Sequence, residues 1–255
     1  MTPKFPNEST DYRAARDELL QAEIDLRRVM EDVAVKRRAL PRGGIVTENY
    51  VFDGLLADGS IGKISLSELF GDKTELAIYN MMFPRSRSDT RPGPASGATA
   101  LLPLSEAPCP SCTSLVDQLD GAARHIEQRV AFAIVAKTDI SRLLTFGKER
   151  GWRNHRLLSS AGNSFNRDYF GESASGGQQP MLNVFERDGD QIRHFWGSEL
   201  LYAPTEPGQE MRHAGTIEPL WNLFDMTRGG RGNDWDEQLQ YPCCRPLASA
   251  SEAKS

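Results

Sequence analysis

Cysteine is scarce in this chain, with four residues among 255. Small secreted scaffolds that depend on disulfides are much denser in cysteine, so that class is excluded. Long apolar runs are also missing. The longest covers residues 130–136 (VAFAIVA), whereas a membrane-spanning helix needs roughly 20 such residues. The first residues show no apolar stretch typical of a signal peptide. We therefore expect a soluble protein of the bacterial cytoplasm with no membrane partner.

An excess of basic residues is missing as well. Lysine and arginine number 30 and aspartate and glutamate 35, which gives a net charge of −5. Nucleic-acid-binding proteins usually carry a basic face, so we expect no nucleic-acid partner. No glycine-rich phosphate motif follows a strand, and the four histidines show no spacing typical of a metal site. The sequence thus predicts neither a cofactor nor a bound metal.

The first regular element is a long helix predicted over residues 10–38. Leu19, Leu26, Val29 and Val33 recur at helical spacing. We assign residues 1–44 to an N-terminal helical extension. Its apolar stripe is expected to pack on the main domain, or alternatively on a second copy in a homodimer.

The next part of the chain, 45–226, alternates strand and helix patterns. We predict strands near 48–52, 75–83, 130–136, 156–159, 181–187 and 191–196, and helices near 64–70, 113–128, 139–150 and 216–225. The order is βαβ, then α, then ββα, which is typical of an α/β, thioredoxin-like domain with a mixed sheet flanked by helices. The remainder, 227–255, is assigned to a C-terminal extension and tail.

A proline-rich insertion interrupts this domain at 84–108. Its prolines exclude helix or central strand, so we expect the most mobile internal stretch of the chain, ordered only around a ligand.

The insertion ends at the motif Cys109-Pro110-Ser111-Cys112, which opens a predicted helix. At this spacing both sulfurs lie on one side of the helix start and can form a disulfide. Unpaired backbone N–H groups and the helix dipole stabilise a thiolate at Cys109. The motif predicts a thiol–disulfide oxidoreductase, with Cys109 as the attacking thiol and the more exposed of the pair, and Cys112 as the resolving thiol and the more buried. Pro110 and Ser111 are expected to contact the substrate, a protein or small-molecule thiol or disulfide.

Other interpretations stay open. A metal site would need Cys243-Cys244 as the second pair, but adjacent cysteines are poorly spaced for zinc. That pair is either a relay to the main dithiol or a pair of incidental thiols. A peroxiredoxin-like peroxidase and a non-enzymatic thioredoxin-fold binding module are the alternative functions.

A single proline precedes the strand at 181–187. In thioredoxin-type sites the proline at this place is cis and lies against the dithiol. Pro180 is therefore expected to be cis, to contact the cysteine pair and to help bind an extended peptide.

Several motifs together support a family resemblance over residues 12–225. They are Arg37–Pro41, Tyr50–Phe52, Leu66–Gly71, Cys109–Cys112 with Asp120-Gly121, Ser159–Gly162, Phe165-Asn166 and Val184–Gly189. The chain resembles a bacterial family of thioredoxin-like proteins of unassigned function, described as predicted dithiol-disulfide oxidoreductases. The resemblance implies a thioredoxin fold with Cys109 and Cys112 as the redox pair. Two features differ from the family pattern. They are the longer insertion and a tryptophan-rich stretch towards the C-terminus that runs to Tyr241.

Overall fold

A computed structural model describes residues 4–207, 209, 217–229, 232 and 235–241. The chain forms two compact units, 1–43 and 44–255.

The first unit contains one long helix, α1 (Thr10–Arg38), as the apolar spacing predicts. Ser9 caps it, because its Oγ accepts a hydrogen bond from the Tyr12 backbone N–H at 3.1 Å. Lys36, Arg37 and Arg38 occupy the last turn, where positive charge complements the helix dipole. In the described ranges, no helix combines the length and the apolar content needed to cross a membrane.

The second unit contains a seven-stranded mixed sheet flanked by helices. Its strands are β1 (Val51–Leu55), β2 (Ile61–Ser65), β3 (Glu75–Met81), β4 (Ala131–Ala136), β5 (Leu157–Ser159), β6 (Met181–Asp188) and β7 (Gln191–Gly197). Its helices are α2 (Leu66–Leu69), α3 (Pro110–Ile126), α4 (Ile140–Arg150), α5 (Phe165–Asp168) and α6 (Pro219–Asp225). The strand order is β2-β1-β5-β4-β3-β6-β7.

The centre of the sheet has thioredoxin-type topology. Strand β3 pairs parallel with β4 and antiparallel with β6, and β6 and β7 form an antiparallel hairpin. The helix that carries the cysteine pair, α3, follows β3 and precedes β4. The predicted fold class is therefore confirmed, and so is the hairpin over 181–196.

The sheet separates two apolar cores. Alternate residues of β3 serve each, since side chains along a strand point to opposite faces. Tyr79 and Met81 join the core that contains α3 and α4, whereas Leu76 and Ile78 join the core with α2 and α5. Both cysteines belong to the first core, so the dithiol lies on the α3–α4 side of the sheet.

One predicted feature of this domain is wrong. We expected 48–70 to contribute a strand and a helix to a βαβ opening. Instead β1 and β2 form an antiparallel hairpin around the turn at Asp58-Gly59, and α2 is reduced to a single turn. No residue of the edge strand β2 is buried. The strand therefore lacks the alternating apolar pattern that identifies a strand in sequence.

The proline-rich insertion also differs from its expected form. It contains two short 3₁₀ helices, Ala98–Leu101 and Leu104–Glu106. Its ends are paired, because the Arg85 N–H donates to the Ala107 carbonyl at 2.9 Å. Side chains supply further anchors, with Thr99 bonded to Glu149 of α4. Its prolines prevent a regular pattern of backbone hydrogen bonds, and side-chain hydrogen bonds hold the stretch in place instead.

Candidate active site

The cysteine pair lies where β3 ends and α3 begins. Cys109 is the N-cap of α3, and Pro110 occupies the first helical position. Two hydrogen bonds join the pair to the residue after β3. The Cys109 backbone N–H donates to the Met82 carbonyl at 3.0 Å, and the Met82 N–H donates to Cys112 Sγ at 3.5 Å. Proline at this position loses no helical hydrogen bond, because the first N–H groups of a helix have no intrahelical partner.

Both thiols are buried. The side chain of Cys109 is 1% exposed and that of Cys112 is 2% exposed. Cys109 is not the more exposed of the two, so that expectation is wrong. Arg91 of the insertion and Glu237 of residues 235–241, which we call the C-terminal segment, are both hydrogen-bonded to Ser111 in the first turn of the same helix.

The two thiols nevertheless differ in acidity. A hydrogen bond with the Cys112 side chain lowers the pKa of Cys109 to about 7. The backbone N–H of Cys112 and the positive charge of Arg91 act in the same direction, and burial opposes them. Cys109 is thus half ionised near neutral pH, which supplies the thiolate needed for attack on a disulfide.

Burial raises the pKa of the Cys112 thiol well above its ordinary value, and the hydrogen bond and charge of Cys109 raise it further. Tyr79, which is buried on β3, hydrogen-bonds to the Cys112 sulfur. That bond favours the Cys112 thiolate and partly offsets the burial. Cys112 is therefore held as a neutral thiol for as long as Cys109 carries the negative charge.

A cluster of paired charged side chains lies next to Cys109, with Arg91 at its centre. The Arg91 guanidinium donates to both carboxylate oxygens of Asp89, at 3.0 and 2.9 Å, and to Ser111 Oγ at 2.9 Å. Its Nη2 is 4.0 Å from Cys109 Sγ. Burial alone would lower the pKa of Arg91, but the bonds and charge of Asp89 raise it above its ordinary value. Arg91 therefore stays charged next to the thiolate.

The C-terminal segment closes the cluster from the other side. Ser111 Oγ donates to Glu237 Oε2 at 2.9 Å, and Arg91 Nη1 lies 3.5 Å from the same oxygen. The Trp221 indole N–H donates to Glu237 Oε1 at 3.0 Å. Glu237 is only 4% exposed. We call the bonds from Arg91, Ser111 and Trp221 to Glu237 the Glu237 latch.

A second arginine fixes the insertion beneath this cluster. Arg85 is 2% exposed, and its guanidinium donates to the carbonyls of Arg91 at 2.6 Å and Pro108 at 2.7 Å. Arg85 near the start of the insertion is thereby joined to its middle at Arg91 and to its last residue, Pro108, which precedes Cys109. Arg85 thus holds in place the loop that presents Arg91.

Pro180 is half-buried, and its link to the thiols runs through Tyr202. The cis peptide bond among the described residues is Phe83–Pro84, so the expectation of a cis Pro180 is wrong. A trans proline is equally compatible with the start of a strand. The Tyr202 hydroxyl donates to the Pro180 carbonyl at 2.5 Å. Burial raises the pKa of Tyr202 to about 12, and the proximity of Cys112 acts in the same direction. Direct contact between Pro180 and the dithiol stays a prediction.

These features can be compared with known proteins. The family described as "Bacterial protein of unknown function (DUF899)" matches residues 2–245. The chain belongs to this family. No curated protein matches it.

Solved structures offer weaker similarities to this DUF899 member. Reduced 2-Cys peroxiredoxin from Plasmodium vivax is 15% identical, with a TM-score of 0.39 over 61% of this chain and 81% of that chain. Prx3 from Vibrio vulnificus, solved in complex with H₂O₂, is 12% identical, with a TM-score of 0.40 over 72% and 99%. The exposed lipoprotein thioredoxin Etrx1 from Streptococcus pneumoniae is 12% identical, with a TM-score of 0.32 over 58% and 87%. Scores this low carry no information on activity.

Sequence reasoning identified four of the residues at this site and missed others. Cys109, Pro110, Ser111 and Cys112 lie together at the start of α3, but Tyr79, Arg91 and Glu237 were not predicted. The only signal for Arg91 was the charged run at 85–91 (RSRSDTR) inside the insertion. Cys243 and Cys244 lie outside the described residues. Within the described ranges no group of three or more metal-ligating side chains is clustered.

Proposed function

We propose that this DUF899 protein is a thiol–disulfide oxidoreductase in which Cys109 attacks and Cys112 resolves. The observation that carries the proposal is the opposite displacement of the two pKa values within one hydrogen-bonded pair. The pKa of Cys109 is lowered to about 7, whereas that of Cys112 is raised. One thiol is therefore prepared for attack and the other is held in reserve.

Reduction of a disulfide substrate takes two successive thiol–disulfide exchanges. The Cys109 thiolate attacks one sulfur of a substrate disulfide, the substrate S–S bond breaks, and one substrate thiolate leaves. Consumption of the Cys109 charge removes a cause of the raised Cys112 pKa. Cys112 then loses its proton and attacks Cys109 Sγ of the mixed disulfide, releasing the second substrate thiolate. The protein dithiol is oxidised by two electrons. The proton that Cys112 loses goes to one departing substrate thiolate, and the other thiolate takes a proton from water, which replaces the one that Cys109 had already released. A dithiol reductant recycles the enzyme.

Single-cysteine variants test this order. With hydroxyethyl disulfide as substrate and dithiothreitol as reductant, Cys109→Ser should abolish turnover. Cys112→Ser, incubated with hydroxyethyl disulfide in the absence of dithiothreitol, should accumulate a mixed disulfide, seen as an added 2-mercaptoethanol mass on the intact protein. The Cys243→Ser/Cys244→Ser variant controls for the tail thiols and should turn over like wild type. Normal turnover by Cys112→Ser would refute the mechanism.

One observation favours a peroxidase as the second candidate. The Arg91 guanidinium lies 4.0 Å from Cys109 Sγ and could orient a peroxide oxygen next to the thiolate. Attack by the thiolate would break the O–O bond, leaving Cys109 as a sulfenic acid and releasing the other oxygen as water or an alcohol. Peroxide consumption that survives Cys112→Ser but not Cys109→Ser would support this function over disulfide exchange.

A further inference from the structure

A cavity of about 620 Å³ opens beside the dithiol, within the usual size range of small-molecule sites, roughly 300–1,000 Å³. Helix α3 forms one wall with Pro110 and Ser114, and α6 forms a second with Leu220 and Leu223. Trp235 and its neighbours in the C-terminal segment form the third. We call this space the α3–α6 cavity. Pro110 lies between the two cysteines, so one end of the cavity touches the redox motif itself.

The polar groups of the lining are already occupied. The Gln118 carboxamide donates to the Ser114 carbonyl at 2.9 Å and accepts from the Leu220 N–H at 2.6 Å. Asp117 accepts from Trp152 Nε1 at 2.7 Å and also pairs with Arg150. What these groups leave for a ligand is mostly carbon surface, which favours an apolar occupant.

The charges of the lining indicate that the ligand is not an anion. The ionised side chains among the described lining residues are Asp117 and Glu237, and lysine, arginine and histidine are absent from that lining. The arginines that pair with these carboxylates, Arg150 and Arg91, lie outside the lining. An anion entering the cavity would lose water and meet two carboxylates without gaining a cation, which is unfavourable.

We propose that the α3–α6 cavity binds the uncharged aromatic or aliphatic body of the disulfide substrate and places its sulfur at the Pro110 end. Glu237 lines the cavity and is bonded at 2.9 Å to Ser111, which follows Pro110 in the chain, so we expect opening of the Glu237 latch to connect the bound body with the thiolate. This assignment of substrate class rests on the proposed function, but the existence of the binding site does not.

A binding experiment separates the site from the redox chemistry. The full chain carrying Cys109→Ser/Cys112→Ser is titrated with N-phenyl-1-naphthylamine, an uncharged fluorescent probe. We expect saturable one-site binding. The matched anionic probe 8-anilinonaphthalene-1-sulfonate has the same aromatic body plus a sulfonate and should bind about tenfold more weakly. Absence of saturable binding of the uncharged probe, or equal affinity for both probes, would overturn the proposal.

Two substitutions locate the bound probe. Leu223 lines the cavity and is 60% exposed, so Leu223→Asp adds a charge to the wall with little risk to folding. Met226 is 82% exposed at the end of α6 and is not in the lining, so Met226→Asp is the matched control. Leu223→Asp should raise the Kd of N-phenyl-1-naphthylamine about tenfold, and Met226→Asp should leave it unchanged. Equal effects would refute the location, with circular dichroism confirming that both variants fold.

Kinetics then connect the cavity with the substrate. With the cysteines intact, Leu223→Asp should raise the KM for the aromatic 2,2′-dithiodipyridine, whereas Met226→Asp, which lies outside the lining, should leave that KM unchanged. If Leu223→Asp loses probe binding but keeps the wild-type KM for 2,2′-dithiodipyridine, the cavity does not hold the substrate and the proposal is wrong. If the wild-type protein reduces neither hydroxyethyl disulfide nor 2,2′-dithiodipyridine, the proposed function fails. The probe titration alone then decides whether the cavity is a binding site.

Discussion

Cys109 has a pKa of about 7, which favours the reactive thiolate, and yet it is buried. We expect the Glu237 latch to control how often the site opens. Since the thiol is 1% exposed, an alkylating agent reacts only with molecules in which the site has opened, and the rate follows the population of that open state. We therefore expect Glu237→Gln to accelerate alkylation of Cys109. The substitution keeps the shape of the side chain and an oxygen for the Trp221 N–H, but removes the charge.

The size of the effect follows from the hydrogen bonds that the substitution weakens. A hydrogen bond to a charged group contributes about 1.5–3 kcal/mol and a neutral one about 0.5–1.5 kcal/mol. Conversion of the Ser111–Glu237 bond from charged to neutral therefore destabilises the closed state by about 1 kcal/mol, which is about fivefold in the open population. Removal of the ion pair between Arg91 and Glu237, at 3.5 Å, acts in the same direction.

The assay is iodoacetamide labelling followed by site-resolved mass spectrometry in the Cys243→Ser/Cys244→Ser background. At pH 9 Cys109, with a pKa of about 7, is fully ionised, so a further change in its acidity does not affect the rate. Asp236→Asn is the matched control, because it removes the same charge from an exposed neighbour in the same segment. Equal rates for wild type and Glu237→Gln, or equal acceleration by Asp236→Asn, would refute the latch.

Three further outcomes are expected. The labelling rate of Cys109 should rise about tenfold from pH 6 to pH 8, with a midpoint near pH 7. The reason is that a thiol with a pKa of about 7 becomes a thiolate over this range. A midpoint above pH 8 would contradict this expectation. Arg91→Gln should move that midpoint to higher pH by removing a charge that favours the thiolate, and Arg91→Lys should restore part of the shift. Phe146→Ala should lower the free energy of unfolding by about 3–5 kcal/mol in urea titrations, since Phe146 is fully buried against Phe83 and Trp152; a decrease below about 1 kcal/mol would show that the surrounding side chains had closed the space.

Local sequence determined most of the regular elements. The apolar repeat of α1 and the buried runs of β3 and β4 were sufficient to place them. Asp139 at the start of α4 and Gly151 at its end, with φ of 78°, are local signals that the structure confirms. The same holds for the cysteine pair at the start of α3, because a helix start and a C-x-x-C spacing are both properties of a few consecutive residues.

Tertiary structure alone decided what surrounds those thiols. Arg91 is 20 residues from Ser111 in the chain, and Glu237 is 126 residues from it, yet all three meet in one set of hydrogen bonds. Periodicity and capping describe interactions between near neighbours, so they contain no information on which distant loops fold over a helix start. For the same reason the sequence identified Cys109 as a redox residue but not as a buried one: its acidity depends largely on its own helix, whereas its exposure depends on what the rest of the chain places above it.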